Sequence, residues 1–365
     1  MHAVVIGAGV SGLTTGICLA EAGLSVTIRT AAPPEQTTSI AAGALWGPVR
    51  IGPQDRVLGW ARHSLDILTK LAAEPGTGVR MATGQEVTRT APELPYWSPL
   101  VPDMRFSDLA ELPPGFAGGW HYTAPLADMP VYLGYLRNRF ERAGGTVEFG
   151  PVTSLSGAPV VVNCTGFAAR DLVPDPQVYP VRGQVVIAQN PGIEEFLISR
   201  DEPEPRTVYM FPHGDTILLG GTVEAGEEDL TPKPEISERI VADACSIEPR
   251  LRGVAILGHR VGLRPCRPEV RLESEQVDGT LVWHNYGHGG AGISVSWGCA
   301  AEITAALTAP LPPPLPNADD CDNHPVLCGW LSQRSEGGSY IKTVMSAKSN
   351  VTDSGLKYSW DTVPR

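Results

Sequence analysis

The sequence predicts an α/β fold that begins with a Rossmann-like unit and continues into a mixed, largely antiparallel sheet. Three observations predict this fold. A strand, a glycine-rich turn, a helix and a second strand open the chain, helical periodicities alternate with short apolar runs further on, and residues 196–222 alternate apolar with polar residues. At 365 residues, the chain has the length of about two domains.

The first thirty residues form one predicted βαβ unit. Residues 2–6 are an apolar run of strand length, and residues 11–22 carry apolar residues at helical spacing. Gly23 ends this helix, and a second strand follows at residues 24–29. We therefore expect two parallel strands that are joined by a right-handed crossover.

The remaining elements are predicted from periodicity and apolar runs. Helices are expected at residues 54–71, 129–143, 236–247 and 295–307. Strands are expected at residues 146–149, 160–163, 184–188 and 281–284, with an antiparallel sheet that has one wet face over residues 196–222. Residues 72–126 contain many prolines and mixed strand signals, so they carry no firm assignment.

The composition changes near residue 309. Prolines are frequent from residue 310 to residue 316, and polar residues without sustained periodicity follow them to the end of the chain. This composition predicts a proline-rich linker and a poorly ordered tail over residues 309–365. We expect no chemistry there.

Charge and cysteine content narrow the range of partners and compartments. The net charge is −12, and no run of Lys or Arg could follow a phosphate backbone, so nucleic acid is not an expected partner. The seven cysteines lack CxxC spacing, which favours the reducing cytoplasm. Glycines interrupt the apolar stretch 3–20, no apolar run has membrane-spanning length, and the carboxyl end is not the peroxisomal tripeptide. We therefore expect no signal peptide and no membrane partner.

A GxGxxG pattern lies between the first strand and the first helix. Gly7 permits the tight turn, Gly9 lets the backbone approach a pyrophosphate, and Gly12 lets the helix pack closely on the strand. Ala8, Val10 and Ser11 complete the loop, whose unpaired N–H groups would face phosphate oxygens. The pattern predicts a dinucleotide site, although a glycine-rich turn without a ligand is the alternative, and the pattern does not distinguish NAD from FAD.

The usual acidic ribose contact is missing at the end of the second strand, where Arg29 and Thr30 stand instead. Ribose contact is therefore expected from Thr30, from backbone groups or from Arg29. An arginine at this place also keeps an NADP 2′-phosphate open as an alternative.

Three longer segments carry a family resemblance. They are HNYGHGGAGISVSWGCA at residues 284–300, VGLRPCRPEVR at 261–271, and VNCTG at 162–166 leading to PVRGQ at 180–184. With these segments the chain resembles the D-amino-acid oxidase family, which includes D-aspartate oxidase. The resemblance covers about residues 2–308, with Trp283 as a departure where an aliphatic residue is usual.

The resemblance implies FAD as the cofactor. It also implies an FAD-binding Rossmann-like domain at residues 1–50, 140–185 and 256–308, interleaved with an α+β substrate-binding domain at residues 51–139 and 186–255. The FAD contacts that it implies are Gly7, Gly9, Val10, Ser11, Gly12, Thr37, Thr38, Ala42, Gly43, Val152, Thr165, Arg182, Gln184, Gly289, Gly290, Gly292, Ile293 and Ser294.

The resemblance also implies how a substrate is held. Arg264 would bind the substrate carboxylate through its planar fork, the Tyr209 hydroxyl would donate a second hydrogen bond, and the Gly290 carbonyl would accept one from the amine. A hydride would then pass from Cα to flavin N5 without a side-chain base. The alternatives are that Arg264 is a surface ion-pair partner, like Arg267 and Arg271, and that Tyr209 is a core strand residue.

His284 and His288 are four residues apart, but the segment between them is glycine-rich and lacks the HExxH pattern, so structural histidines are expected and no metal. Cys164, Cys266 and Cys299 lie within the family segments. They have no sequence partner for nucleophilic catalysis, and we interpret them as small buried hydrophobic residues.

The predicted function is FAD-dependent oxidative deamination of D-amino acids, which yields 2-oxo acids, ammonia and hydrogen peroxide. Neutral substrates are favoured, because Val223 occupies a position at which the enzymes for acidic substrates resemble one another by having arginine. Arg200 leaves D-aspartate or D-glutamate as an alternative substrate.

A glycine or secondary-amine oxidase is a second alternative. An NADP-dependent dehydrogenase or a non-catalytic nucleotide-binding module would be a different class. The expected partners are a small D-amino acid and O₂, and a homodimer is left open beside a monomer.

Overall fold

A mixed sheet of fourteen strands is the main element of residues 1–309. The computed structural model describes residues 1–200 and 207–309, together with the backbone of residues 346–352 and 355–361. The strands are β1 (His2–Ile6), β2 (Ser25–Thr30), β3 (Val79–Thr88), β4 (Arg105–Phe106), β5 (Gly118–Ala127), β6 (Thr146–Phe149), β7 (Val160–Asn163), β8 (Tyr179–Gln189), β9 (Phe196–Arg200), β10 (Thr207–His213), β11 (Thr216–Gly220), β12 (Glu224–Ala225), β13 (Ile256–Val277), β14 (Thr280–His288), β15 (Ser346–Thr352) and β16 (Gly355–Asp361). The helices are α1 (Val10–Glu21), α2 (Gln54–Ala72), α3 (Met129–Arg142), α4 (Ala169–Leu172), α5 (Pro234–Ile247) and α6 (Gly292–Thr308).

One half of the sheet is parallel, in the order β14, β7, β1, β2 and β6. Strands β1 and β7 are almost wholly buried and rich in valine, as expected for parallel strands with both faces covered. Helix α1 packs against α6 and α3, and Leu13 and Ile17 of α1 are fully buried there. This half places the carboxyl ends of the central strands at one edge of the sheet.

The long strand β13 connects the two halves, because it pairs with β14 on one side and with β8 on the other. From β8 the sheet continues through β11, β10 and β9 in antiparallel pairs. Strand β9 then pairs with β3 in parallel, and β3 pairs with β5 antiparallel. Side chains in register across these strands therefore share one face of a continuous surface.

Most elements agree with the sequence predictions. The strands predicted at 146–149 and 160–163 have the predicted bounds, and the helix predicted at 295–307 begins three residues earlier, at Gly292. The strand predicted at 184–188 is part of the longer β8, and the last predicted strand extends to His288. Strand β13 was not predicted, because many of its side chains are polar and partly exposed, which hides a strand pattern.

The chain divides into two units, Met1–Ala309 and Pro310–Arg365. In the second unit β15 and β16 form a two-stranded antiparallel sheet, with Ser346 opposite Asp361, which the sequence did not predict. The rest of the predicted linker and tail lies outside the described residues. The interleaved division of residues 1–308 into two domains stays a prediction. Within the described part of the chain, no helix is long and apolar enough to cross a membrane.

Candidate active site

The glycine loop after β1 has a geometry that requires its glycines. Gly7 has φ of 105°, and a Cβ there would lie 2.6 Å from the Cys164 carbonyl oxygen. A Cβ on Gly12 would overlap the carbonyl oxygen of Gly7. Helix α1 begins at Val10, whose N–H donates to Ser39 Oγ at 3.0 Å. The loop therefore brings the positive end of α1 close to the edge of the parallel sheet.

A cavity of about 1180 Å³ begins at this loop. That volume exceeds the ~300 to 1,000 Å³ of most small-molecule sites, so it has room for a dinucleotide together with a small substrate. The predicted site residues on its wall are Gly7, Ala8, Gly9, Val10, Ser11, Thr30, Thr37, Thr38, Ala42, Gly43, Val152, Thr165, Tyr209, Arg264, Gly289, Gly290, Gly292 and Ile293. Residues that are far apart in the sequence thus line one cavity.

Arg182 and Gln184 do not belong to this wall, and their contact with the cofactor stays a prediction. Side chains alternate along β8, so Val181 and Gly183 face the cavity while Arg182 and Gln184 face the other way. Arg182 is fully buried and pairs with Glu224 at 2.5 Å, and Gln184 donates to the Lys233 carbonyl at 2.8 Å. Both side chains fasten the 224–233 segment to the back of the sheet.

Gly12 and Ser294 also lie behind the cavity wall. Gly12 is the glycine expected to permit close helix packing, and its position against Gly7 agrees with that role. Ser294 is buried, and its Oγ accepts a hydrogen bond from the Gly47 N–H at 3.0 Å. Its side chain therefore positions the segment after residue 43 rather than lining the cavity.

At the end of β2, the two residues that replace the usual acid already have partners. Thr30 Oγ1 donates to the Ala32 carbonyl at 2.7 Å. Arg29 pairs with Glu148 at 3.0 Å across β2 and β6. Because a carboxylate compensates the Arg29 charge, the case for an NADP 2′-phosphate is weaker than the sequence alone indicates.

Arg264 lies on β13 with its guanidinium over β8. Its Nη1 donates to the carbonyls of Thr222 at 3.0 Å and Arg182 at 3.3 Å. A Cβ on Gly183 would overlap the guanidinium, so the absence of a side chain there makes room for it. Carbonyl oxygens carry only partial charges, so these hydrogen bonds hold the guanidinium in place without neutralising it.

The neighbouring arginines behave differently from Arg264. Arg267 pairs with Asp175 at 3.1 Å, and Arg271 pairs with Glu273 at 2.7 Å. The alternative interpretation, that Arg264 is an ion-pair partner like these two, therefore does not describe its contacts.

Tyr209 approaches Arg264 from β10. Its ring lies over Gly220, where a Cβ would overlap it, and it stacks on Phe211 with 4.9 Å between ring centroids. Burial raises the pKa of the Tyr209 hydroxyl, while hydrogen bonding and the positive charge of Arg264 act in the opposite direction. The hydroxyl therefore stays protonated at neutral pH, and it can donate a hydrogen bond beside the guanidinium.

Two buried polar atoms on the cavity wall have no hydrogen-bond partner among the described residues. They are Nε2 of His288 and Oδ1 of Asn285. Nδ1 of His288 lies 3.4 Å from Ser11 Oγ, and burial lowers the pKa of this histidine to about 4, so it is neutral at pH 7. Buried polar atoms of this kind are normally satisfied, so these two atoms are available to a polar group or a water in the cavity.

His284 does not face the cavity. Its Nε2 lies 2.8 Å from Glu275 and its Nδ1 lies 3.4 Å from Asn163, which agrees with a structural role. In the part of the chain that the structure describes, no group of three or more His, Cys, Asp or Glu residues could hold a metal ion.

The cysteines of the family segments differ in burial. Cys164 and Cys299 are buried as expected, and burial raises the pKa of the Cys164 thiol to about 12, so it is not a thiolate nucleophile. Cys266 is only partly buried and lies on the cavity wall, which corrects the expectation of a buried residue.

Sequence reasoning missed several cavity residues, among them Ser39, Gly183, Glu86 and Tyr122. Ser39 lies in a turn-rich stretch where no motif marks it. Glu86 and Tyr122 belong to β3 and β5, in the region of mixed strand signals, and only the sheet pairing brings them to this cavity. A glutamate among strand-forming residues is the one signal that could have indicated Glu86.

The chain is similar to known proteins over most of its length. A family model described as FAD dependent oxidoreductase matches residues 2–307. The D-amino-acid oxidase of Rubrobacter xylanophilus is 47% identical over 316 residues, which cover 85% of this chain and 97% of that protein. The D-amino-acid oxidase of Streptomyces coelicolor is 47% identical, covering 82% and 94% of the two chains. The human D-aspartate oxidase is 35% identical, covering 84% and 97%.

Solved structures share the fold. A glycine oxidase from Bacillus cereus superposes with a TM-score of 0.68 at 20% identity, covering 84% of this chain and 94% of that one. An L-alpha-glycerophosphate oxidase from Mycoplasma pneumoniae with FAD bound gives a TM-score of 0.69 at 15% identity, covering 84% and 94%. At these identities the likeness concerns the fold alone.

Proposed function

The chain belongs to the family of FAD-dependent oxidoreductases that contains the D-amino-acid oxidases, and on this premise we propose that it catalyses the oxidative deamination of D-amino acids with FAD as its cofactor. The observation that carries the proposal is the meeting of Arg264 and Tyr209 in the cavity that begins at the glycine loop. A guanidinium beside a protonated phenol is a receptor for a carboxylate.

The residues around the loop fit FAD. The backbone at Gly9 and Val10 would approach the pyrophosphate at the positive end of α1. The unpartnered atoms of His288 and Asn285 supply polar groups on the same wall. Further contacts are proposed from the remaining wall residues of the predicted set, including Thr37, Thr38 and Thr165.

The substrate would be held by three groups. Arg264 binds the α-carboxylate with parallel N–H donors, Tyr209 donates a further hydrogen bond, and the Gly290 carbonyl accepts one from the α-amine. Gly290 lies beside Arg264, since a Cβ there would lie 3.5 Å from Arg264 Cδ. When bound, FAD would supply the two-electron acceptor for the hydride that leaves Cα, with O₂ as the final oxidant that is reduced to hydrogen peroxide, and the imine would hydrolyse to a 2-oxo acid and ammonia.

We propose the reducing cytoplasm as the location of the enzyme. The five cysteines of the described residues are all free, as expected for a chain that does not depend on disulfides.

A peroxide-coupled assay over D- and L-amino acids, glycine and sarcosine tests the function. We expect turnover of neutral D-amino acids, no turnover of their L-enantiomers, and a lower kcat/KM for glycine than for D-alanine. A preference for glycine or sarcosine would instead favour a glycine or secondary-amine oxidase, whose fold the chain shares. A preference for D-aspartate would favour the activity named for the human relative.

The carboxylate receptor has its own test in Arg264→Ala. Loss of the guanidinium should lower kcat/KM by about a hundredfold or more, because charge-assisted hydrogen bonds to a carboxylate contribute about 1.5 to 3 kcal/mol each. Flavin absorbance of the purified variant should be retained, since Arg264 is assigned to the substrate. Arg250→Ala removes an exposed arginine that pairs with Glu248 and serves as the control. Unchanged kinetics in Arg264→Ala would reject the assignment.

A further inference from the structure

A second charged cluster lies on the cavity wall and has no part in the proposed carboxylate receptor. Glu86 of β3 is 2% exposed, and its Oε1 accepts a hydrogen bond from the Tyr122 hydroxyl at 2.8 Å. Its Oε2 accepts from Nε of Arg200, on β9, at 2.5 Å. All three side chains line the same cavity as Arg264 and Tyr209.

Sheet register places this cluster relative to Tyr209. Tyr209 of β10 is opposite Ile198 of β9, and Ile198 is opposite Glu86 of β3. Adjacent strands are about 4.8 Å apart, so the backbone of Glu86 is about 10 Å from that of Tyr209. Arg264 lies in the other direction, on β13 beyond β11 and β8. A substrate whose carboxylate is held between Arg264 and Tyr209 can therefore direct its side chain towards Glu86 and Arg200.

The charges of the cluster decide what this end of the cavity accepts. Glu86 and Arg200 together carry no net charge, and burial together with the negative charge of Glu86 raises the pKa of Tyr122, which stays a neutral donor. An acidic side chain placed here would lose hydration without gaining a net counter-charge. A neutral side chain loses much less hydration free energy when it is placed here.

We infer that Glu86 is a specificity-determining residue that restricts the substrates to D-amino acids without a second carboxylate. This inference rests on the proposed function, because it takes Arg264 and Tyr209 as the receptor for the α-carboxylate. Removing the charge of Glu86 makes the local charge more positive by one unit, whatever else Arg200 contacts. Dicarboxylates should then bind better relative to monocarboxylates.

The test uses FAD-loaded protein and compares pentanoate with glutarate, in which a second carboxylate replaces the methyl group. Calorimetry gives both dissociation constants without turnover, so the result does not depend on whether any amino acid is oxidised. In Glu86→Gln we expect the affinity for glutarate relative to pentanoate to rise by at least about tenfold. In the peroxide-coupled assay, kcat/KM for D-glutamate relative to D-norvaline should rise in the same direction.

Two further variants complete the experiment. Arg200→Gln changes the local charge in the opposite sense and should lower the glutarate preference, which keeps the inference testable if Glu86→Gln does not fold. Glu111→Gln removes the charge of an exposed glutamate that pairs with Arg105, and it should change neither ratio.

Folded Glu86→Gln protein with an unchanged ratio, or with both ligands weakened equally, would overturn the inference. Absence of D-amino-acid turnover in the unmodified protein, with the shift in ligand binding intact, would overturn the proposed function alone.

Discussion

At the scale of single residues, glycines give the candidate site its room. A Cβ on Gly183 would overlap the Arg264 guanidinium, one on Gly220 would overlap the Tyr209 ring, and one on Gly43 would lie 2.5 Å from the Phe211 ring. These glycines fix where the side chains of Arg264, Tyr209 and Phe211 can lie. Gly43 was predicted through the family resemblance, whereas Gly183 and Gly220 were not, because their importance depends on which strand lies beside them.

Gly183→Ala tests this role of glycine. The added methyl group would displace the guanidinium, and since a misplacement of about 1 Å can cost about a hundredfold in rate, we expect kcat/KM to fall by at least about tenfold with FAD still bound. Steady-state kinetics and flavin absorbance measure both effects. Gly258→Ala changes a glycine of β13 that has nothing within 4 Å of the added Cβ, so its kinetics should stay normal. Equal kinetics for the two variants would show that the guanidinium tolerates displacement.

At the scale of secondary-structure elements, the sequence predicted well the helices and strands that a local pattern of apolar residues marks. The first βαβ unit and the strands at 146–149 and 160–163 were predicted well, because apolar runs and helical spacing report burial directly. The resemblance predicted Arg182 and Gln184 as cofactor contacts, whereas their side chains on β8 face away from the cavity, because a family segment does not reveal which alternate residues face it. Strand β13 was not predicted, because many of its side chains are polar and exposed although its backbone pairs with β8.

The turn between β1 and α1 gives a prediction at this scale. In Gly12→Ala the new Cβ would overlap the Gly7 carbonyl oxygen, so the loop must shift and the first turn of α1 must move away from the phosphate site. We expect the affinity for FAD to fall by at least about tenfold, as measured by titration of flavin fluorescence. The control is Gly59→Ala in α2, where the added methyl has nothing within 4 Å and alanine favours the helix. Normal FAD affinity in Gly12→Ala would show that the loop does not form the phosphate site.

At the scale of the whole molecule, the site exists only because one sheet joins distant segments. The glycine loop follows β1, Tyr209 lies on β10, Arg264 on β13 and Gly290 after β14, and β13 connects the strands between them. The family resemblance predicted these residues, which line one cavity, and their roles stay predictions. The part of the cavity wall that contains Glu86 and Arg200 depends on the parallel pairing of β3 with β9. This pairing is a long-range contact that no periodicity in the sequence reports.

The second unit gives the prediction that concerns the whole chain. The family match ends at residue 307, and β15 and β16 pair with each other. The predicted site residues on the cavity wall all precede residue 309, which leads us to expect that deletion of residues 311–365 leaves FAD binding and kcat/KM within about twofold of the full chain. Purification yield, flavin content and steady-state kinetics of the two proteins measure this. Loss of folded, flavin-loaded enzyme in the shortened chain would mean that the second unit contributes to the stability of the first, and the restriction of function to residues 1–309 would then be wrong.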